Sequence, residues 1–344
     1  MIPVKIFSSR KRCFFVRFDN LFALIFDKGN EMVTLVNGLN CIEGDTAVAI
    51  GKFDGLHIGH DTILKKLTEL KKRGFKTVLL SFDPSPDVFF WRMEDSEILS
   101  RTETEERLLQ YGIDYHLVLS FTTELAQMTP EDFLSEILVS KLHARHLVAG
   151  EDVSFGYKGR GNAEFLKQKE KAGVIACHIL KKQKVDGIEV SSTRIRELIK
   201  EGNIRKANEM LGYRYSFTGI IEEGKHLGRT YGIPTVNFYP EKKKILPPKG
   251  VYFTRAHIRG EKYFAMTNIG LRPSVEETKN SDGKKGINLE SYLFGNPGEL
   301  YGEVCTIELC YFHRPEKHFD SLELLVEQLR TDKEICSEYF GLNG

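Results

Sequence analysis

Between residues 46 and 180 short apolar runs alternate with amphipathic stretches, and this alternation limits the fold more than any other feature. Thr46–Ile50 is typical of a buried strand, and His60–Arg73 carries apolar residues at helical spacing. Further strands are predicted at Thr77–Phe82, Tyr115–Leu119, His146–Ala149 and Val174–Leu180, and further helices at Glu103–Tyr111, Pro130–Leu142 (with Thr129 as N-cap) and Asn162–Ala172. The alternation favours a Rossmann-like α/β domain with a parallel sheet and right-handed crossovers.

The pattern changes near residue 215, where short strand-like segments separated by Gly and Pro clusters take over. Predicted strands are Tyr215–Ile221, Val251–Ile258, Tyr263–Ile269, Leu289–Phe294 and Glu303–Phe312. Such segments predict a small antiparallel β-barrel, and Ser321–Tyr339 predicts a terminal helix. The helical stretch Ser192–Leu211 is expected to join the two domains.

A length of 344 residues suits two domains. We expect the first domain to span residues 32–185, a linker residues 186–214 and the second domain residues 215–344. Residues 1–31 show no clean periodicity. Our hypothesis is that they are an extension outside the functional protein and that translation starts at Met32.

Charge and cysteine content indicate which binding partners and which cellular compartment to expect. The chain has 49 basic and 48 acidic residues, a balance that does not indicate nucleic-acid binding. Six scattered cysteines without a Cys-x-x-Cys pair favour a reducing compartment over a zinc site or a disulfide scaffold. The apolar run Leu21–Phe26 is far shorter than the ~20 residues a membrane span needs. We therefore expect a cytoplasmic protein without membrane or nucleic-acid partners.

A glycine-rich segment, Gly51 to His60, follows the first buried strand and opens a helix. Backbone amides and the helix dipole at such a turn favour a phosphate group. His57 and His60 bracket Gly59, so both imidazoles can reach one phosphate, as nucleotidyl transfer requires. Two ordinary loop histidines are the alternative, but the strand and helix on either side favour a functional pair.

A second glycine-rich segment runs from Gly224 to Asn237 and lacks the Gly-Lys-Ser/Thr triplet of a Walker loop. Its glycines could cradle phosphates with backbone amides. Thr235 and Asn237 are two positions apart, so both can point the same way from a strand and offer oxygen ligands to Mg²⁺. By spacing alone, a turn-rich hairpin is the safer interpretation.

The first half of the chain resembles the N-terminal domain of prokaryotic bifunctional riboflavin kinase/FAD synthetases, within the His-x-Gly-His nucleotidyltransferases. Ser81 to Pro86, Gly150 to Gly156 and Ser191 to Arg196 also match family segments, with Val153 where an aromatic residue is usual. The resemblance implies adenylylation of FMN by ATP, with His57 and His60 as catalytic residues. It implies ATP contacts at Gly51, Phe53, Asp54, Gly55, Gly59, Ser191, Ser192, Thr193, Arg194 and Arg196, and flavin contacts at Asp152, Phe155 and Gly156.

The second half is similar to riboflavin kinases through Gly-Ile-Pro-Thr-Val-Asn, residues 232–237, and through Gly250, Asn268 to Pro273 and Leu300 to Gly302. The resemblance implies phosphorylation of riboflavin by ATP, with Glu290 as general base on the 5′-hydroxyl. It implies ATP contacts at Gly224, Gly228, Arg229, Pro234, Thr235 and Asn237, with Mg²⁺ held by the last two. An unusual turn at 294–299 and a polar loop at 276–286 depart from the family pattern.

Three other interpretations stay open at this point. The chain could transfer a nucleotidyl group to another acceptor, with a degenerate barrel. It could bind flavin as a regulatory or carrier module without catalysis. A nucleic-acid role is the third, since class I tRNA synthetases share the His-x-Gly-His logic, but the neutral charge weighs against it. Self-association is left open.

Overall fold

The computed structural model describes residues 5–8, 11–18, 21–25, 31–36, 39, 42–91, 96–222, 235–271, 286–295 and 298–342. The chain divides into two compact units, residues 1–192 and 193–344. The domain boundaries expected at residues 185 and 214 stay a prediction.

The first unit is built on a sheet that is parallel over most of its width. In the described residues its nine strands are β1 (Lys5–Ser8), β2 (Lys11–Phe18), β3 (Leu21–Ile25), β4 (Glu31–Val36), β5 (Thr46–Ile50), β6 (Lys76–Asp83), β7 (Tyr115–Ser120), β8 (Ala144–Gly150) and β9 (Ala176–Leu180). Their order is β1-β2-β3-β4-β7-β6-β5-β8-β9. Strands β4 to β9 pair in parallel, which confirms the α/β prediction.

Helices connect these strands. They are α1 (Ile58–Lys72), α2 (Pro86–Trp91), α3 (Arg101–Gln110), α4 (Thr123–Gln127), α5 (Pro130–Asp132), which continues as a π-helical segment over Phe133–Lys141, and α6 (Ala163–Lys171). Of these, α1, α3, α5 with its extension, and α6 lie near predicted positions, whereas α2 and α4 were not predicted. Thr129 caps α5 through its side chain, as predicted. A short hairpin, β10 (Lys184–Val185) and β11 (Ile188–Glu189), was not predicted.

Strand β5 lies inside the parallel part of the sheet, between β6 and β8. All five of its residues are buried, as expected of a strand covered on both faces. Apolar side chains of β6, β7 and the π-helical segment pack against it in one core. This rigid centre fixes the position of the loop that follows Ile50.

The described residues before Met32 lie in strands, although the sequence there shows no strand periodicity. β1, β2 and β3 pair antiparallel in series, and β3 pairs antiparallel with β4, which adjoins the parallel strands. The hypothesis that residues 1–31 lie outside the functional protein stays untested.

The second unit contains a curled antiparallel sheet. Its strands are β12 (Ser216–Ile220), β13 (Thr235–Phe238), β14 (Gly250–Ile258), β15 (Glu261–Leu271), β16 (Ile287–Leu293) and β17 (Val304–Pro315), in the order β12-β17-β14-β15-β16-β13. The two edges approach each other, since the amide of Glu222 donates to the carbonyl of Asn237 at 2.8 Å. The sheet therefore forms an incomplete barrel.

Three helices belong to this unit in the described residues: α7 (Ser192–Lys200), α8 (Ile204–Leu211) and α9 (Leu322–Phe340). The stretch predicted to be helical over Ser192–Leu211 forms two helices, because Gly202 adopts a φ of 78° and Asn203 starts a new helix as N-cap. Asp332 anchors α9 to β17 through a bidentate ion pair with Arg314.

Candidate functional site

A tight loop carries the chain from β5 into α1. Phe53, Gly55 and Leu56 all have positive φ values, of 50°, 82° and 34°. A left-handed backbone is strained for residues other than glycine, and such strain is characteristic of functional sites. The Phe53 and Leu56 side chains are buried, and their packing offsets the backbone cost. The loop is thus held in one conformation that sets the start of α1.

His57 and His60 meet at the N-terminus of α1. Their rings stack with centroids 3.8 Å apart and an interplanar angle of 14°. His57 is the N-cap, and its Nδ1 accepts the amide hydrogen of His60 at 3.4 Å. The Nδ1 of His60 is buried and has no hydrogen-bond partner among the residues that the structure describes. The structure therefore brings together the two histidines predicted from sequence and leaves one ring nitrogen unpaired.

Both imidazoles are held neutral. Burial lowers the pKa of His57 to about 4, against weaker opposing effects from a backbone hydrogen bond and the Asp152 carboxylate. Desolvation, with a smaller effect of His57, lowers the pKa of His60 well below its usual value. Because Nδ1 of His57 accepts a hydrogen bond, the proton of the neutral ring lies on Nε2, which can donate to an oxygen.

Gly59 allows the His57 ring to lie over the first turn of α1. A Cβ at this position would come within 3.1 Å of both Cε1 and Nδ1 of His57. Any other residue would push the ring aside, so the glycine between the histidines has a steric role.

The motif at residues 191–196 is joined to the histidine loop through Ser192. Its hydroxyl donates to the carbonyl of Asp54 at 2.8 Å, and α7 begins at this serine. Asp54 in turn accepts the amide hydrogen of Ile98 at 2.9 Å. Arg194 forms an ion pair with Glu197 at 2.9 Å one turn along α7. Thr193 and Arg196 follow in the first turn of this helix.

The segment after β8 places its three predicted flavin residues differently. Asp152 is exposed and pairs with Lys182 at 3.4 Å, and its charge acts on His57. Phe155 is buried at 6% exposure, in ring contact with Phe133. Gly156 has a φ of 68°. A Cβ at this position would lie only 2.7 Å from the backbone nitrogen of Pro130, which is too close for any side chain. Phe155 and Gly156 thus pack the segment, and their predicted flavin contacts stay a prediction.

On the barrel, three of the residues predicted for the kinase site, Thr235, Asn237 and Glu290, lie on one face. Thr235 donates a hydrogen bond from its hydroxyl to the Glu290 carboxylate at 2.8 Å. Asn237 is directly opposite Glu290 in the β13–β16 pair, and its Oδ1 accepts from Nδ2 of Asn288 at 3.0 Å. Glu290 is exposed, so it is accessible to a substrate. Gly224, Gly228, Arg229 and Pro234 lie outside the described residues.

One buried polar pair in the first unit was not predicted from the sequence, although Ser81 itself opens a segment that matches the family. Ser81 and His116 are hydrogen-bonded to each other at 2.9 Å beside a cavity near the histidine loop. The two residues are 35 positions apart, so their spacing in the sequence does not indicate that they form a pair.

Comparison with known proteins assigns both units. Residues 40–194 match the family model described as FAD synthetase, and residues 211–340 match the one described as riboflavin kinase. The chain belongs to the bifunctional riboflavin kinase/FMN adenylyltransferase family. The predicted fold classes and the predicted pair of enzyme domains are thereby confirmed.

Individual relatives agree over most of the chain. A bifunctional riboflavin kinase/FMN adenylyltransferase of Listeria monocytogenes is 33% identical over 297 residues, 86% of this chain and 92% of that protein. The protein of the same name from Escherichia coli K12 is 33% identical over 301 residues, 86% of this chain and 93% of its own length. A solved Streptococcus pneumoniae structure described as a macrolide-efflux protein has a TM-score of 0.77 at 28% identity, covering 88% of this chain and 98% of that one.

The described residues contain neither a membrane-spanning helix nor a cluster of metal-binding side chains. No helix there is long and apolar enough to cross a membrane. No group of three or more His, Cys, Asp or Glu side chains in that part of the chain could hold a metal ion.

Proposed function

We propose that the chain makes FMN from riboflavin at Glu290 and FAD from FMN at the histidine pair, in two separate sites. The observation that carries the proposal is the stacking of two neutral imidazoles, one with an unpaired nitrogen, at the N-terminus of α1. A helix N-terminus already favours phosphate, and the two rings add hydrogen-bond donors for an oxygen that gains charge.

In the adenylylation step an oxygen of the FMN phosphate attacks the α-phosphorus of ATP. A new P–O bond forms, the bond to the β-phosphate breaks, and pyrophosphate leaves with the electron pair. Nε2 of His57 donates to a non-bridging oxygen of the α-phosphate, and His60 contributes a second ring nitrogen. Arg194 and Arg196 bind the polyphosphate, with Ser191, Ser192 and Thr193 ordering the start of α7. Positioning and charge stabilisation are sufficient, without a covalent enzyme intermediate.

The flavin and nucleotide contacts of this site are proposed from the family pattern. Gly51, Phe53, Asp54, Gly55 and Gly59 shape the loop that faces ATP. Asp152 contacts the flavin nucleotide, with Phe155 and Gly156 supporting its segment.

In the kinase step Glu290 accepts the proton of the riboflavin 5′-hydroxyl. The hydroxyl oxygen attacks the γ-phosphorus of ATP, and ADP leaves. The hydrogen bond from Thr235 orients the Glu290 carboxylate. Residues Gly224, Gly228, Arg229 and Pro234 are proposed to hold the ATP phosphates.

The oxygen donors on β13 and β16 fit Mg²⁺. The hydroxyl of Thr235 and Oδ1 of Asn237 are hard ligands, and the Glu290 carboxylate lies beside them. Oδ1 of Asn237 accepts one hydrogen bond, from Asn288, and keeps a second lone pair. When bound, the ion would neutralise phosphate charge.

A single incubation tests the proposal. Purified protein, riboflavin, ATP and Mg²⁺ are combined, and FMN and FAD are followed by chromatography. FMN should appear first and FAD second, and addition of FMN in place of riboflavin should still yield FAD. Absence of both products from folded protein would refute the proposed function. A cytoplasmic location, the lack of nucleic-acid partners and the question of self-association stay predictions.

A further inference from the structure

A cavity of about 590 Å³ lies within the second unit, at the C-terminal end of α9. One wall is α8 with the turn that follows it, the floor is formed by β14, β15 and β17, and the last turn of α9 forms the opposite wall. This volume falls within the range of small-molecule sites, about 300–1,000 Å³. Nothing in the proposed kinase mechanism uses the cavity.

Three arginines line this cavity. Arg205 and Arg214 are exposed, whereas Arg255 is half-buried on β14, and its Nε has no hydrogen-bond partner in the part of the chain that the structure describes. Burial raises the pKa of the Cys310 thiol in the floor, and the charges of Arg214 and Arg255 oppose that effect, so both guanidinium groups lie near one point. A buried donor without a partner costs about 1–3 kcal/mol, and an anion in the cavity would satisfy it.

The negative groups around the cavity do not neutralise these arginines. Glu209 is the carboxylate among the described lining residues, and it pairs with Lys206 at 3.4 Å. Glu308 lies 3.1 Å from Nε2 of His257 and 4.0 Å from Arg214. The C-terminal ends of α8 and α9 add only about half a negative charge each. The three guanidinium groups therefore leave a positive surplus, which favours an anionic ligand.

Aromatic rings accompany the arginines in the lining. The Arg255 guanidinium lies over the Phe264 ring at 5.6 Å, and that of Arg205 lies over the Tyr339 ring at 5.8 Å. The rings of Phe264 and Phe340 contact each other at a centroid distance of 4.5 Å. Guanidinium planes and aromatic faces stack on planar rings, and guanidinium forks bind phosphate through two hydrogen bonds. The lining thus suits a ligand that carries both a planar ring and a phosphate.

The cavity is separate from the proposed kinase site. In the β15–β16 pair Asn268 is directly opposite Glu290, and Phe264 precedes Asn268 by four positions on the same face of β15. Four residues of an extended strand span about 13 Å. Between the two positions Met266 packs against Cys336 of α9. The body of α9 therefore lies between the cavity and the row of residues that contains Glu290.

We propose that this cavity is a second ligand site of the unit and binds a mononucleotide, with the arginines on the phosphate and the aromatic side chains on the heterocyclic ring. FMN and adenine mononucleotides share this chemistry, and the experiment below separates them. The proposal does not depend on either proposed activity, because it concerns binding at a place where no chemical step occurs.

Variants of the full-length protein test the proposal. Arg205→Gln combined with Arg214→Gln removes two exposed charges, and Arg255→Met removes the half-buried guanidinium but keeps an apolar side chain. Arg330→Gln is the matched control, because Arg330 is exposed on α9 and is not among the residues that line the cavity. Equilibrium dialysis counts the molecules of FMN or AMP bound per chain, with pyrophosphate as a probe that has no ring. Photolabelling with 8-azido-AMP, followed by peptide mass spectrometry, locates the bound adenine.

The wild-type protein is expected to bind one more molecule of FMN or AMP per chain than the catalytic sites hold. The double variant should weaken this additional site by about 10- to 100-fold, the loss of charge-assisted hydrogen bonds. A change confined to FMN assigns the site to flavin, and one confined to AMP, with label on Tyr213 or Tyr339, assigns it to adenine. Arg255→Met should show a loss of the same kind, and Arg330→Gln should match the wild type.

Equal numbers of bound FMN and AMP molecules in the wild type and in the folded double variant would overturn the proposal. The arginines would then serve only to stabilise the ends of α8 and α9. Binding of pyrophosphate but of neither nucleotide at this site would overturn it as well. The double variant should form FMN from riboflavin at the normal rate, and loss of that activity in folded protein would place the cavity in the kinase site instead. Since dialysis needs no turnover, the proposal can fail while both activities are observed, and it can hold where the proposed function fails.

Discussion

Replacement of His57 by alanine is the sharpest test of the histidine site. The substitution removes the Nε2 donor, the ring stacked on His60 at 3.8 Å and the acceptor that caps α1. Loss of one donor that acts on the transition state typically costs about 10²–10³ in rate. We expect FAD synthesis to fall by that factor. The affinity for ATP should fall much less, because the arginines and backbone amides still bind the ground-state phosphates.

The same substitution also affects stability, and this effect must be separated from the chemistry. Loss of an N-cap acceptor costs ~1 kcal/mol of folding free energy. His57→Asn is the matched variant, because asparagine is a favoured N-cap but does not reproduce the imidazole. We therefore expect His57→Asn to unfold near the wild-type temperature and still lose FAD synthesis to the same degree as His57→Ala.

The assay uses FMN plus ATP for the first activity and riboflavin plus ATP as the internal control. FMN formation should be normal in both variants, because Glu290 lies in the other unit. Near-normal FAD synthesis by His57→Ala would show that His57 is an ordinary loop histidine. The reasoning would also fail if His57→Asn restored the rate, because the cap would then be the important feature.

Three further predictions follow from particular contacts. Glu290→Gln should abolish FMN formation but preserve FAD formation from supplied FMN, as measured by chromatography. Gly59→Ala should lower FAD synthesis, because its Cβ would crowd the His57 ring at 3.1 Å, with little change in melting temperature. His116 has a lowered pKa, so the unfolded state takes up its proton first as pH falls below 6.5. When the pH is lowered from 7 to 5, the unfolding free energy of the wild type should therefore fall by on the order of 2 kcal/mol more than that of His116→Val.

Each of these has a result that would contradict it. Loss of both activities in folded Glu290→Gln would refute separate sites. Unaltered FAD synthesis by Gly59→Ala would show that the His57 ring can shift without cost. Parallel stability curves against pH for His116→Val and wild type, measured by urea unfolding, would show that the His116 pKa is unchanged by folding.

Much of the fold could be predicted because local pattern and burial agree. Four of the five residues in Thr46–Ile50 are apolar, and the segment forms a fully buried strand with those bounds. Thr129 and Pro130 were recognisable as the start of a helix from side-chain chemistry alone. The break between α7 and α8 was missed because the amphipathic pattern continues across it, whereas the backbone reverses locally at Gly202.

The histidine pair could be predicted because its two residues are close in sequence. The pairing of Thr235 with Glu290, in contrast, could not be derived from spacing. Those two residues are 55 positions apart and meet only through the register of β13 with β16. The Ser81–His116 pair depends likewise on neighbouring parallel strands. Each of its residues looks like an ordinary strand residue when the chain is read alone.

The neutral state of His57 explains how a buried histidine can serve a reaction of phosphates. A permanent cation at this position would bind the ground-state polyphosphate strongly, and uniform binding does not accelerate the chemical step. Burial disfavours the imidazolium, and the pKa of about 4 leaves an uncharged N–H donor at neutral pH. Such a donor interacts more strongly as negative charge accumulates on the α-phosphate oxygen. The fold that buries the ring thus makes its contribution greatest in the transition state.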